Sequence, residues 1–85
     1  MTPPSFFDWR ISMIEVRLFA TLREGRGKII KLPASDFSTA GDIIRHLEIP
    51  AEEVAILLVN GFHSKPDAEV KEGDVVALFP PVGGG

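Results

Sequence analysis

From Ile14 onward apolar and polar positions alternate: Ile14, Val16, Leu18 and Ala20 fall on one face, with Glu15, Arg17, Phe19 and Thr21 on the other. A period of two is the signature of a half-buried strand. Arg23 to Gly27 has the glycines and charges of a hairpin turn, and Lys28 to Leu32 reads as a second short strand ended by Pro33. Further on, Thr39-Ala-Gly-Asp42 has the form of a capping box with Asp in the acidic position, and Ala40, Ile43, Ile44 and Leu47 recur at helical spacing. One amphipathic helix is predicted. Pro50 stops it, because proline lacks an amide proton and disfavours helix at Ile49, and Ala51-Glu52-Glu53 adds a short turn.

Val54 to Val59 is a continuous apolar run, too short for an independent helix and closed by the tight-turn dipeptide Asn60-Gly61. It is expected to be a well-buried strand. Pro66-Asp67 and Glu72-Gly73-Asp74 punctuate a loop, after which Val75 to Phe79 forms the last strand. The order ββαββ predicts an α+β domain. A single helix covers one face of a mixed sheet most economically when the first and last strands lie adjacent and parallel at its centre.

The opening segment, residues 1–12, carries two prolines and the aromatics Phe6, Phe7 and Trp9 without a sustained period. It reads as a flexible N-terminal extension, with docking of those aromatics on the domain as the alternative, and the patterned domain is residues 13–85. A chain of 85 residues holds one small domain, since cores of this size hide only about 60% of the unfolded chain's surface. A composition 45% hydrophobic and 25% charged is that of a folded domain. With no cysteine, thiol nucleophiles, disulfide scaffolds and Cys-based zinc sites are excluded. The net charge of −3 disfavours nucleic acid and anionic lipid as partners. No stretch approaches a membrane span, and the first dozen residues lack the pattern of a signal peptide, so the expected compartment is the cytoplasm.

The most informative segment is the end: Pro80-Pro81-Val82-Gly83-Gly84-Gly85, running directly out of the last strand. Two prolines favour a stiff, extended exit, and three glycines allow entry into a channel too narrow for any Cβ. A terminal carboxylate presented this way can attack the α-phosphate of ATP when an enzyme aligns the two, giving an acyl-adenylate open to sulfur or to an amine. A glycine-rich end is by itself equally compatible with an inert terminus.

The ββαββ order, the opening Met13-Ile-Glu-Val-Arg-Leu-Phe-Ala20, the Val59-Asn60-Gly61 turn, the Glu72-Gly73-Asp74-Val75-Val76 strand entry and the ending Phe79-Pro-Pro-Val-Gly-Gly-Gly85 resemble the MoaD/ThiS family of ubiquitin-like sulfur carriers. The likeness spans essentially all of residues 13–85, and the Phe-Pro-Pro-Val ending resembles the MoaD branch, the small subunit of molybdopterin synthase. It implies a β-grasp fold and a cycle in which an E1-like adenylating enzyme of MoeB/ThiF type uses ATP to activate Gly85. A sulfur donor protein then makes the thiocarboxylate, and a large synthase subunit of MoaE type takes up the tail for sulfur transfer to a pterin precursor. Gly84 and Gly85 match the family's Gly-Gly pair, while Gly83 stands where another small residue is common. No cofactor is implied on this chain itself, and the catalytic side chains belong to the partners.

A docking face follows from the strand pattern as well. If Val76 and Leu78 face the helix, then Val75, Ala77 and Phe79 point outward beside Phe19, so two phenylalanines face water together, next to the tail. The resemblance implies partner contacts at Phe19, Phe79, Arg23 and the tail residues Pro80, Pro81, Val82 and Gly83. A covering N-terminal extension, or a one-residue register slip that buries both rings, is the alternative. The span from Arg10 to Lys31 carries a net charge of +4 and that from Asp36 to Asp74 a net −6. Arg17, Arg26 and Lys28 are read as solvating a sheet edge, with only Arg23 kept as a contact. His46, on the helix, and His63, in a loop, are too few for a zinc site. Neither a G-x-S-x-G nor a phosphate-loop pattern occurs. A sulfur carrier, for molybdopterin, thiamine or another pathway, and a protein modifier joined to lysines both fit a chain with this end. So does an interaction domain with an inert tail.

Overall fold

The computed structural model describes residues 13–81. The expectations for residues 1–12, including Phe6, Phe7 and Trp9, and for Val82, Gly83, Gly84 and Gly85 lie outside the described residues. Strand β1 is Met13–Leu18, β2 Ile29–Pro33, β3 Ile56–Val59, β4 Phe62–His63 and β5 Val75–Phe79, with helix α1 at Ala40–His46. Among the described residues they form one five-stranded sheet of order β2-β1-β5-β3-β4, with β1 and β5 parallel and the other pairs antiparallel.

The central parallel pair is the one the sequence predicts. Ile14, Val16, Leu18, Val76 and Leu78 turn inward to meet Ile43 and Ile44 of α1, all of them essentially shut off from water. Each such aliphatic side chain contributes about 1.5–3 kcal/mol on burial. The capping box forms as read: the Thr39 hydroxyl accepts from the Asp42 amide at 3.2 Å, and the Asp42 carboxylate accepts from the Thr39 amide at 3.1 Å.

Several boundaries differ from the sequence reading. β1 ends at Leu18, and Ala20 is exposed with a left-handed φ of 54°, because the chain turns there into a 3-10 helix at Ala20–Arg23. β2 runs one residue later than read, and Pro33 sits within it, tolerated because β2 is an edge strand. The helix ends before Pro50 acts. Glu48 adopts φ 58°, the Glu48 amide donates to Arg45 at 3.0 Å and the Ile49 amide to Ile44 at 3.1 Å, the two bonds of a Schellman motif. Ala51–Glu53 does form the extra turn.

The apolar run Val54 to Val59 becomes a strand only from Ile56, and it is not buried on both sides: Leu57 is inward, while Ile56 faces out. One helix covers one face, so half of any apolar strand stays open. Asn60 and Gly61 both take positive φ, as a type I′ turn demands, and the turn pairs β3 with β4, a strand beyond the four expected. His63 therefore lies on β4 and not in a loop.

Candidate functional site

The strand register builds the site. Leu18 pairs with Leu78 and Ile56 with Phe79, so Phe19, Phe79 and Ile56 form a row across β1, β5 and β3 on the face opposite the helix. Phe19 and Phe79 are half-buried, because each ring covers the other: their centroids are 4.2 Å apart and their planes 9° from parallel. The outward orientation expected of both aromatics holds, but they shelter each other instead of standing separately in water.

The left-handed turn at Ala20 holds this arrangement. The Phe19 amide donates to the Leu78 carbonyl at 3.2 Å, anchoring the residue to β5, and the Leu22 amide donates to the Phe19 carbonyl at 3.1 Å as the chain reverses. Leu22 is buried and pins the turn from below. Arg23 then returns toward β1: its Nε donates to the Leu18 carbonyl at 3.0 Å, and its guanidinium carbon lies 5.7 Å from the Phe19 ring centre. A cation at that distance is attracted by the ring's π face. Of the charges read as edge solvation, Arg17 instead pairs with Glu15, a carboxylate buried on the sheet. Arg26 donates to the carbonyls of Leu22, Leu47 and Glu48 and so ties the hairpin turn to the end of α1.

Phe79 ends β5 and Pro80 and Pro81 leave the sheet directly beside it. A shallow groove of about 410 Å³ lies there, lined by Phe19, Ala20, Ile56, Phe79, Pro80 and Pro81. The structure thus brings Phe19, Arg23, Phe79, Pro80 and Pro81 to one end of one face. Ile56, 38% exposed, belongs to the same apolar row and was missed, since the run around it reads as buried. Period two and the single helix were the available signal. The chemistry of this face is contact: an apolar row with a cation at its rim, next to a stiff exit. No helix among the described residues is long and apolar enough to cross a membrane.

Residues 16–85 match the model of the ThiS family. The chain is 34% identical over 90 residues to Small archaeal modifier protein 3 of Haloferax volcanii, covering 85% of this chain and 98% of that one. It is 35% identical over 81 residues to the Molybdopterin synthase sulfur carrier subunit of Escherichia coli, covering 86% of this chain and all of the relative. Among solved structures, SAMP1 of Haloferax volcanii superposes with a TM-score of 0.68 at 26% identity, covering 86% of this chain and 99% of that one.

Proposed function

The chain belongs to the ThiS family of ubiquitin-like carriers and modifiers, and from that membership we propose that it is a sulfur carrier, the small subunit of a molybdopterin synthase. In this reading an E1-like enzyme aligns the Gly85 carboxylate with ATP. The carboxylate oxygen attacks the α-phosphorus, pyrophosphate leaves, and an acyl-adenylate results. A hydrosulfide equivalent from a sulfur donor protein displaces AMP to give the thiocarboxylate. The large synthase subunit then takes the tail, while the Phe19–Phe79–Ile56 row binds its surface.

The observation that carries the reading is the exit of the chain at Pro80–Pro81 directly beside the stacked Phe19 and Phe79. A partner that grips the aromatic row is thereby placed to take up the C-terminal tail. Burial of such aromatics is a main source of affinity at interfaces. The relative from Escherichia coli supports the molybdopterin assignment.

A second reading, a modifier whose tail ends in isopeptide bonds to lysines, is favoured by the relative from Haloferax volcanii. Both readings begin with adenylation and diverge at the fate of Gly85. Intact-mass analysis of protein purified from its own host separates them. A species with one oxygen replaced by sulfur supports the carrier, and lysine-linked conjugates without that species overturn it. Unaltered function after removal of Gly84 and Gly85 overturns both.

A further inference from the structure

Three cations converge beside the aromatic row. Arg17 of β1, Arg23 of the 3-10 turn and Lys28 at the start of the second hairpin arm surround a hollow of about 210 Å³, whose remaining walls are Leu18, Phe19 and Ile29. Ile29 is 56% exposed and offers apolar surface beside these cations. Arg17 and Ile29 are register partners across β1 and β2, so they lie side by side on the face that carries Phe19. Phe19 is a wall of both this hollow and the groove beside Pro80 and Pro81. The two concavities share that wall.

From this shared wall we infer that the hollow is a receptor for an acidic side chain flanked by an apolar one, supplied by the adenylating enzyme when it docks on Phe19 and Phe79 to reach the tail. Covering the aromatic row takes Arg17, Arg23 and Lys28 out of water with it. Cations removed from water without a counter-charge are strongly disfavoured, so an apolar or basic partner surface is excluded there. Glu15 answers part of the charge of Arg17, and Arg23 is held by a carbonyl and a ring, neither of which neutralises it. An Asp or Glu seated between Lys28 and Arg17 completes the balance, and an aliphatic neighbour of that acid packs on Ile29. The cluster is local: the whole chain carries −3, so attraction comes from this corner and orients the approach.

The inference rests on the proposed function and is tested with the adenylating enzyme of the same organism, by ATP–pyrophosphate exchange against carrier concentration. The variant combines Lys28→Glu with Arg17→Gln, the neutral change being used at Arg17 because Glu15 lies beside it. Lys71→Glu combined with Lys65→Gln, an equal charge change on the stretch before β5, is the control. The double variant is expected to raise KM about tenfold or more and leave kcat within about twofold, with a weaker salt dependence than the parent. Melting curves confirm that it is folded, and Lys28→Gln gives a smaller shift in the same direction. An acidic residue of the enzyme changed to Lys is expected to restore the KM of Lys28→Glu. Equal KM changes in the Lys65 and Lys71 control, or none in the Arg17 and Lys28 variant, overturn the inference while leaving the carrier function standing. Saturable binding of inorganic phosphate at Arg17 and Lys28 with KM unaffected by the variants overturns it in favour of a small-anion site. A parent chain that is never adenylated removes the proposed function, and this inference with it.

Discussion

Phe19 and Phe79 stack face to face at 4.2 Å across the parallel pair β1 and β5, although neither ring enters the main core. Aromatic pairs contribute about 0.5–1.5 kcal/mol beyond area burial. A double-mutant cycle of Phe19→Ala and Phe79→Ala in urea is expected to give a coupling of about 1 kcal/mol, and additive single effects would show that the rings act independently.

Ile56 completes the aromatic row yet contributes little to folding, being 38% exposed. Under the proposed function, Ile56→Asp is expected to weaken binding to a large synthase subunit about tenfold, while the urea midpoint moves by less than about 1 kcal/mol in equivalent stability. Calorimetric titration against that subunit provides the measurement.

Glu48 holds a left-handed conformation, φ 58°, at the C′ position of the Schellman motif, where glycine is preferred. Glu48→Gly is expected to stabilise the domain by about 0.5–1 kcal/mol. Arg26→Ala, which frees three carbonyls, is expected to destabilise it by about 1–3 kcal/mol. Thermal melting of the two variants should move in opposite directions.

Asn60 is left-handed and also bridges to the start of β5: its Nδ2 donates to Asp74 at 2.9 Å, and its Oδ1 accepts from the Val75 amide at 3.0 Å. Asn60→Gly keeps the turn and loses the bridge, while Asn60→Ala loses both. The alanine variant is therefore expected to be the less stable by about 1 kcal/mol.

Hydrogen bonds from the Ser38 and Thr39 backbone amides hold the Asp42 carboxyl below its ordinary value of 3.8, with a smaller contribution from Arg45. A carboxyl whose folded value is depressed stabilises the fold above its unfolded value and loses that contribution as pH falls through the folded one. Stability should thus decline as pH drops from about 4 downward, and Asp42→Asn should flatten this part of the acid titration when followed by circular dichroism.

The strongest local signals in the sequence translate directly into structure. Alternation from Ile14 gives β1, the spacing of Thr39 and Asp42 gives the capped helix, and Asn60-Gly61 gives the tight turn. Less legible are features set by tertiary partners. Ala20 turns left-handed because Phe19 must meet Phe79, and Ala20 itself carries no signal for it. Val54 to Val59 reads as wholly buried, since composition reports apolarity but not how many faces the fold covers. Arg26 looks like any surface cation until the hairpin packs against the end of α1.

The strand built last occupies the middle of the sheet, with β1 on one side and β3 on the other. Neither flank can be closed until β5 has left the ribosome, so the hairpins β1–β2 and β3–β4, each local in sequence, wait on the strand that joins them. A chain cut before Val75 would keep two hairpins with no keystone between them, its sheet open down the middle and the inward faces of Val16 and Leu57 uncovered.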